Sequence, residues 1–194
     1  MGTMRIADIQ SHIDHELLTK NQIQDLIRKT AAQISRDYAG RDLLMLAVLK
    51  GAVNTLAALS QEVSIPAQLE FMSLSSYGSG TTSSGSITVR QDLDCDVRGR
   101  HILIVEDIID SGRTLRWLVD EMKSRGAASV EVFALLDKVC RHEVQVDVKY
   151  PGFVIPDEFV VGFGLDYDER YRNLDSIAVL KPCEYQDEDQ GEQS

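Results

Sequence analysis

The segment Ile102-Leu-Ile-Val-Glu-Asp-Ile-Ile-Asp-Ser-Gly-Arg-Thr-Leu115 decides the fold. Residues 102–105 form a continuous aliphatic run, which is typical of a strand buried on both faces of a parallel sheet. Beyond it, apolar residues recur at helical spacing: Leu115, Leu118, Val119 and Met122. They predict an amphipathic helix that ends near Gly126. A buried strand followed at once by such a helix indicates an α/β fold.

Three carboxylates, Glu106, Asp107 and Asp110, follow the aliphatic run. Ligands of open α/β sheets bind beyond the carboxyl ends of strands, so the acids lie where a site is expected. The next stretch, Ser111-Gly112-Arg113-Thr114, offers backbone N–H groups and hydroxyls at the positive end of the helix, which suits a phosphate monoester. For a motif as short as Asp-Ser-Gly-x-Thr, the alternative is an acidic loop in which Ser111 or Thr114 merely caps a helix. The fourteen-residue context favours a phosphate site, and carboxylates beside phosphate imply a divalent cation, Mg²⁺.

Composition predicts one domain with a short tail. The chain has 194 residues, of which 43% are hydrophobic. This length is enough for one domain with a substantial core and is too short for two domains of ordinary size. We assign this domain to residues 1–182. The net charge is −11, and residues 183–194 hold five acids and no base. We expect this acidic tail to be disordered.

Several function classes are disfavoured by the same composition. No stretch approaches the roughly 18 to 20 apolar residues of a membrane span, so no membrane partner is expected. No basic stripe interleaved with aromatic residues occurs, which argues against nucleic acid as a partner. The cysteines are odd in number and scattered, at Cys95, Cys140 and Cys183. This pattern favours neither disulfides nor zinc and predicts a cytoplasmic location.

The remaining elements are predicted from periodicity and turn residues. We expect helices at about 19–37 and 53–63, strands at 43–49, 68–77 and 130–136, late strands at about 159–165 and 176–181, and a flexible loop at 78–86. The late strands complete a mostly parallel sheet covered by helices. Pro151, Gly152 and Pro156 are assigned to the turns between them.

The central motif resembles the phosphoribosyl pyrophosphate signature of type I phosphoribosyltransferases. That signature is a hydrophobic strand, paired acids, two aliphatic residues and Asp-[Ser/Thr]-Gly-x-Thr, and the match has no gaps. Neither the Walker P-loop nor the dinucleotide fingerprint occurs in the chain. The resemblance runs from about residue 14 to 181. It implies a mostly parallel, twisted sheet flanked by helices, with a small hood formed by the terminal segments.

The resemblance implies roles for the motif residues. Residues Ser111, Gly112, Arg113 and Thr114 would hold the 5-phosphate, and Asp110 would handle the purine proton, at N7, as general acid/base. Glu106 and Asp107 would serve the ribose hydroxyls and Mg²⁺, with Asp166 as a further metal ligand. Adjacent strand residues point to opposite faces, so Glu106 and Asp107 cannot share one ligand unless the strand has begun to turn.

Further positions match the family's diphosphate loop and lid. Lys50 and Gly51 resemble the loop whose backbone approaches the diphosphate and whose Lys-Gly step is often strained or cis. Arg172 resembles the arginine that reaches the diphosphate. Which of Arg141 and His142 takes a further diphosphate contact stays open. Ser76 and Tyr77, with the loop after them, resemble a lid that would exclude water from an oxocarbenium-like ribosyl cation.

The purine-binding positions match the family's hypoxanthine-guanine group. Lys138 would donate to the exocyclic oxygen of a 6-oxopurine, Phe159 would stack on the base, and the backbone near Val160 and the carboxylate of Asp166 would complete the pocket. The resemblance thus implies a magnesium-dependent enzyme acting on phosphoribosyl pyrophosphate and a 6-oxopurine, as a homodimer or homotetramer. Two alternatives stay open: the same fold acting on xanthine or a pyrimidine, and a ligand-sensing regulator that binds RNA or DNA.

Overall fold

The computed structural model describes residues 4–76 and 87–185. The described elements, in chain order, are β1 (Ile13–Leu18), α1 (Lys20–Asp37), β2 (Leu43–Leu49), α2 (Val53–Glu62), β3 (Ala67–Ser76), β4 (Ile87–Gln91), β5 (His101–Ile109), α3 (Arg113–Ser124), β6 (Ser129–Asp137), β7 (Tyr150–Val154), β8 (Val160–Val161) and β9 (Ile177–Leu180). Short 3-10 helices cover Ile6–Ile9, Val139–Arg141 and Pro182–Glu184.

The chain divides into two compact units. The larger unit comprises Leu26–Asp157, and the smaller combines the two terminal segments, up to Asp25 and from Glu158 onward. The terminal segments therefore form a small unit of their own, as the resemblance implied. A single domain over residues 1–182 stays a prediction.

The larger unit is built on a six-stranded sheet with the strand order β4-β3-β2-β5-β6-β7. Every neighbouring pair is parallel except β3 and β4. Helix α2 packs against β2 and β5, and α3 packs against β5 and β6. The long aliphatic runs of the three central strands are buried in this core, which confirms the predicted mostly parallel sheet flanked by helices.

The observed bounds of α1, α2, β2 and β3 match closely the predicted helices at 19–37 and 53–63 and the predicted strands at 43–49 and 68–77. Strand β5 is longer than its aliphatic run, because it continues through both adjacent acids to Ile109 before the chain turns into α3. The extended backbone at these acids sends neighbouring side chains to opposite faces.

The assignment of the two late strands to the parallel sheet was wrong. Strands β8 and β9 instead pair antiparallel with each other, and β9 pairs antiparallel with β1 in a separate sheet. This smaller sheet has its own apolar core, which includes Ile13, Val161, Leu174, Ala178 and Leu180. A short buried apolar run looks the same in either kind of sheet, so the sequence pattern did not identify its partners.

Three strands, β1, β4 and β7, were not predicted. Pro151 and Gly152 were assigned to a turn, yet both lie within β7. Proline is tolerated there because β7 is an edge strand of the larger sheet. A side chain at Gly152 would collide with the carbonyl oxygens of β6, so the close approach of the two backbones explains the glycine.

The folded chain extends into the segment predicted as a tail. Residues Pro182–Glu184 form a 3-10 helix, and the Tyr185 ring stacks on Phe159 with 4.9 Å between ring centroids. The rest of the predicted acidic tail, residues 186–194, lies outside the described residues. In the described part of the chain, no helix has the length and apolar character needed to cross a membrane.

Candidate active site

The turn from β5 into α3 forms a backbone cradle. Gly112 precedes the helix with φ of +78°, a conformation that L side chains rarely adopt. A Cβ at this position would also lie 2.8 Å from the carbonyl oxygen of Val144. Glycine is therefore required for both conformation and space. Gly112 has no side chain to cap the helix, and the Arg113 N–H donates to the Ser111 Oγ at 3.4 Å, so the other N–H groups of the first helical turn are available to an anion.

A cavity of about 160 Å³ opens at this turn. Its lining includes Glu106, Asp110, Ser111, Gly112 and Thr114. Asp107 does not line it, which agrees with the opposite directions of adjacent strand residues. The cavity therefore combines two carboxylates with the hydroxyls and amides of the helix start.

Glu106 is a buried acid with only 8% of its surface exposed. Burial raises the pKa of the Glu106 carboxyl well above its usual range, and the negative charge of Asp107 raises it further. The two adjacent acids therefore destabilise each other's charged forms, and a cation nearby would relieve that repulsion.

Asp107 faces the loop that follows β2. Its carboxylate accepts a hydrogen bond from the Ile108 N–H at 2.8 Å. A Cβ on Gly51 would collide with this carboxylate, with the Asp107 Cγ only 2.9 Å away. The diphosphate-loop glycine and the predicted metal-region acid are thus brought together. The Leu49–Lys50 peptide bond is cis, one bond before the Lys50–Gly51 step to which the resemblance pointed.

Asp110 lies beyond the end of β5 and forms an ion pair with the side chain of Arg141. Its Oδ1 accepts a hydrogen bond from the Arg141 Nε at 3.0 Å, and both side chains are half exposed. The neighbouring His142 instead places its Nε2 at 2.6 Å from the Asp137 Oδ1. Of the two residues that the sequence left open, Arg141 therefore contacts the predicted acid/base and His142 does not.

Lys138 follows β6 at the same edge of the sheet. Its backbone N–H donates to the Ile109 carbonyl at 2.9 Å, which fastens it to the end of β5. Only 12% of its side chain is exposed, and its Nζ lies 3.8 Å from the Asp157 Oδ1. The lysine thus carries its positive charge on a largely buried side chain beside the predicted acid/base strand.

The chain after Lys138 also contacts the backbone cradle between β5 and α3. The N–H groups of Glu143 and Val144 both donate to the Ser111 carbonyl, at 3.0 and 3.3 Å. The Glu143 carboxylate forms an ion pair with Arg113. These bonds fix the position of the Ser111 backbone at the mouth of the cavity.

The smaller unit contains the other predicted residues. The Arg172 guanidinium pairs with the Asp166 carboxylate at 2.8 Å and donates to the Gly164 carbonyl at 2.8 Å. Phe159 is half-buried against Tyr185 and makes an edge contact with the Tyr167 ring at 5.6 Å. The structure thus joins the predicted diphosphate arginine to the predicted metal ligand.

The lid prediction falls mostly outside the described residues. Ser76 is the last residue of β3, while Tyr77 and the loop 78–86 lie in the part of the chain that is not described. Val160 is buried in β8. The roles assigned to all these residues stay predictions.

Comparison with known proteins gives a consistent family. A sequence model of the Phosphoribosyl transferase domain matches residues 15–168. The hypoxanthine-guanine phosphoribosyltransferase of Mycobacterium tuberculosis is 49% identical over 176 residues, which cover 88% of this chain and 87% of that protein.

The chain belongs to the phosphoribosyl transferase family.

Two further relatives show the extent of this family likeness. The crystal structure of a hypoxanthine phosphoribosyltransferase from Staphylococcus aureus superimposes with a TM-score of 0.88 and 38% identity, covering 92% of this chain and 97% of that one. The bifunctional protein TilS/HprT of Listeria monocytogenes is 46% identical over 90% of this chain, which spans only 27% of that longer protein. The likeness to this phosphoribosyltransferase family therefore covers nearly the whole chain, although some relatives carry much more sequence.

Sequence reasoning missed Asp157, the carboxylate nearest to Lys138. The Ile155 N–H donates to the Asp137 carbonyl at 2.9 Å, so β7 ends beside β6 and delivers Asp157 to the site edge. Once β7 is recognised as a parallel neighbour of β6, an acid just beyond it is expected there. Because Pro151 and Gly152 were assigned to a turn, that signal was not used.

The buried acid gives a prediction about stability and pH. The pKa of the Glu106 carboxyl is higher in the folded protein than in the unfolded chain. This difference stabilises the folded state fully at pH values below the pKa in the unfolded chain, and the stabilisation is lost as the pH rises toward the pKa in the folded protein. Each unit of difference in pKa corresponds to about 1.4 kcal/mol. We therefore expect Glu106→Gln to gain stability relative to the unaltered protein as pH rises from 5 to 8. Urea unfolding in chelating buffer at several pH values measures the difference in free energy of unfolding between the two proteins.

Glu62→Gln, at the exposed end of α2, serves as the matched control and should show no such trend. A stability difference for Glu106→Gln that stays constant across this pH range would contradict the prediction.

Proposed function

We propose that the chain is a purine salvage enzyme that transfers the 5-phosphoribosyl group of phosphoribosyl pyrophosphate to N9 of hypoxanthine or guanine. In this reaction the bond from C1 to the diphosphate breaks, the bond from C1 to N9 forms, and the purine gives up a proton. The products are IMP or GMP and pyrophosphate. The observation that carries the proposal is the attachment of the largely buried Lys138 to the strand end that bears Asp110. Relatives named hypoxanthine-guanine phosphoribosyltransferase support it.

A steady-state assay with hypoxanthine, guanine and xanthine, phosphoribosyl pyrophosphate and Mg²⁺ tests the proposal. Turnover with hypoxanthine or guanine supports it. Preference for xanthine, turnover only when a pyrimidine base is supplied instead, or binding of RNA without turnover would replace it by one of the alternatives.

The backbone cradle between β5 and α3 would hold the 5-phosphate of the substrate. Its uncapped helix start offers N–H groups, and Ser111 and Thr114 add hydroxyls on the wall of the cavity. The positive end of the helix macrodipole stabilises the dianion. The ribosyl group would thereby lie beside the carboxylates at the end of β5.

Asp110 would act on the purine proton, at N7. Arg141 holds the Asp110 carboxylate by a hydrogen bond, which orients it at the cavity edge. Proton transfer by a positioned carboxylate contributes roughly 10²- to 10⁴-fold to rate.

The remaining predicted residues would bind the ribose, the diphosphate and the base. Lys50, Gly51 and Arg172 would contact the diphosphate, and Glu106 and Asp107 the ribose hydroxyls. Phe159 and Val160 would contact the base, and Ser76 and Tyr77 would belong to a lid that excludes water. Electrostatic stabilisation of the leaving group would supply the larger share of catalysis.

The carboxylates fit a divalent cation that takes most of its ligands elsewhere. Among the described residues, no three histidine, cysteine, aspartate or glutamate side chains gather as a metal cluster. Mg²⁺ commonly uses one or two carboxylates and fills its shell with water and substrate phosphate oxygens. Glu106 and Asp107 point to opposite faces of the extended strand β5, so they would not bind one ion together; each would supply a carboxylate on its own face, and Asp166 a further one. Mg²⁺ would supply positive charge beside the diphosphate.

Location and assembly are part of the proposal. All three cysteines are free, which supports a reducing cytoplasm. A homodimer or homotetramer is expected from the family resemblance, and small-molecule substrates are the expected partners.

Asp110→Asn tests the acid/base assignment. The amide keeps the shape of the side chain but cannot accept the proton, so we expect kcat to fall about 10²- to 10⁴-fold while the KM for phosphoribosyl pyrophosphate changes far less. Asp120→Asn, on the exposed surface of α3, is the control and should keep normal rates. Nearly full turnover by Asp110→Asn would refute the assignment.

Removal of metal tests the cation. We expect thorough chelation to abolish turnover, because the charge on the leaving diphosphate would lose its counter-ion, and added Mg²⁺ to restore it. Steady-state rates at graded Mg²⁺ concentrations measure this dependence. Activity that persists in chelator would remove Mg²⁺ from the mechanism.

Lys138 tests base selectivity. Its ammonium has three N–H donors and no acceptor, so it can bond the 6-oxo group of hypoxanthine but cannot satisfy the 6-amino group of adenine. We expect adenine to be at least 10- to 100-fold poorer in kcat/KM. Lys138→Ala should lower activity with hypoxanthine and narrow that gap. Comparable kcat/KM values for the two bases in the unaltered enzyme would overturn this role.

A further inference from the structure

The Asp157 carboxylate interacts with two positively charged side chains of the candidate site, those of Lys138 and Arg141. One carboxylate oxygen, Oδ1, lies 3.8 Å from the Lys138 Nζ, and the other, Oδ2, lies 3.5 Å from the Arg141 NH1. Arg141 in turn holds Asp110 through its Nε. The four side chains form a line of alternating charge from the proposed base-reading lysine to the proposed acid/base.

The distance from Asp157 to Lys138 is informative. At 3.8 Å the carboxylate attracts the ammonium but is too far for a hydrogen bond. Within residues 4–76 and 87–185, Asp157 is the only carboxylate at ion-pair distance from the Lys138 Nζ. The charge is therefore balanced while the three N–H donors stay available to a ligand.

A lysine ammonium needs such a restraint to recognise one atom. Its flexible four-carbon stem gives many rotamers, and restricting them on binding costs affinity. Only 12% of the Lys138 side chain is exposed, so the side chain lies largely within the protein and a nearby carboxylate can balance its charge. The Asp157 carboxylate, three residues beyond the end of β7, supplies both the charge balance and the direction.

We propose that Asp157 is a positioning residue for purine recognition, which holds the Lys138 ammonium ready to donate to the 6-oxo group. This inference rests on the proposed function and adds a residue to it. Asp157 acts through Lys138 and does not itself contact the base. Its contact with Arg141 is the longer of the two that Arg141 makes, so Asp110 keeps its own hydrogen bond when Asp157 is altered.

A role confined to stability predicts different behaviour. Asp157 has 51% of its side chain exposed, and exposed ion pairs contribute little to the free energy of unfolding. The thermal unfolding midpoint should therefore change little on substitution. A positioning role instead appears in the KM for the base.

The experiment compares Asp157→Asn, Asp157→Glu and the control Asp147→Asn, which alters an exposed acid in the loop before β7. We expect Asp157→Asn to raise the KM for hypoxanthine about tenfold and to narrow the gap to adenine. Its kcat and its KM for phosphoribosyl pyrophosphate should stay within about threefold, and Asp157→Glu should recover part of the loss. Asp147→Asn should match the unaltered enzyme.

A double-mutant cycle establishes the route of the effect. If Asp157 acts through Lys138, Asp157→Asn should change little in a Lys138→Ala background. An unchanged or lower KM for hypoxanthine in Asp157→Asn, or an undiminished effect without Lys138, overturns the inference. An unaltered enzyme that turns over no 6-oxopurine overturns the proposed function, and this inference with it, whereas an active unaltered enzyme whose KM for hypoxanthine equals that of Asp157→Asn overturns the inference alone.

Discussion

Parallel pairing of β2, β5, β6 and β7 is the constraint on which the site depends. Parallel strands end at the same edge of a sheet, so whatever follows each strand is brought to one place. Gly51 follows β2, Asp110 follows β5, Lys138 follows β6 and Asp157 follows β7. The buried aliphatic runs that drive this pairing therefore also decide which polar side chains become neighbours.

The charges at this edge are arranged in two different ways. Glu106 and Asp107 are adjacent acids, and burial makes ionisation of Glu106 costly. The line from Lys138 through Asp157 and Arg141 to Asp110 alternates in sign and balances its own charge. The first arrangement favours an added cation, whereas the second holds its members in place without one.

Much of this organisation was predictable from the sequence, and the misses have physical causes. The β5 motif, the central strands, the helices and the lysine after β6 follow from periodicity and from an uninterrupted match of residue types. Short strands such as β8 and β9 carry too few residues to reveal their partners, and so they were assigned to the wrong sheet. Pro151 and Gly152 indicated a turn, because the sequence does not show that β7 lies at an edge where proline is tolerated. The role of Asp157 depends on a distance between segments, and no spacing along the chain encodes it.

The alternating line of charges also limits how this scaffold can be re-engineered. Exchanging Lys138 alone, to accept a different base, would leave the Asp157 carboxylate without its balancing ammonium. The carboxylate would then attract Arg141, the residue that holds Asp110, more strongly. The proposed base preference at Lys138 and the proposed acid/base geometry at Asp110 are therefore not independent design variables. A library for altered specificity should vary Lys138, Arg141 and Asp157 as one block, with their summed charge kept constant.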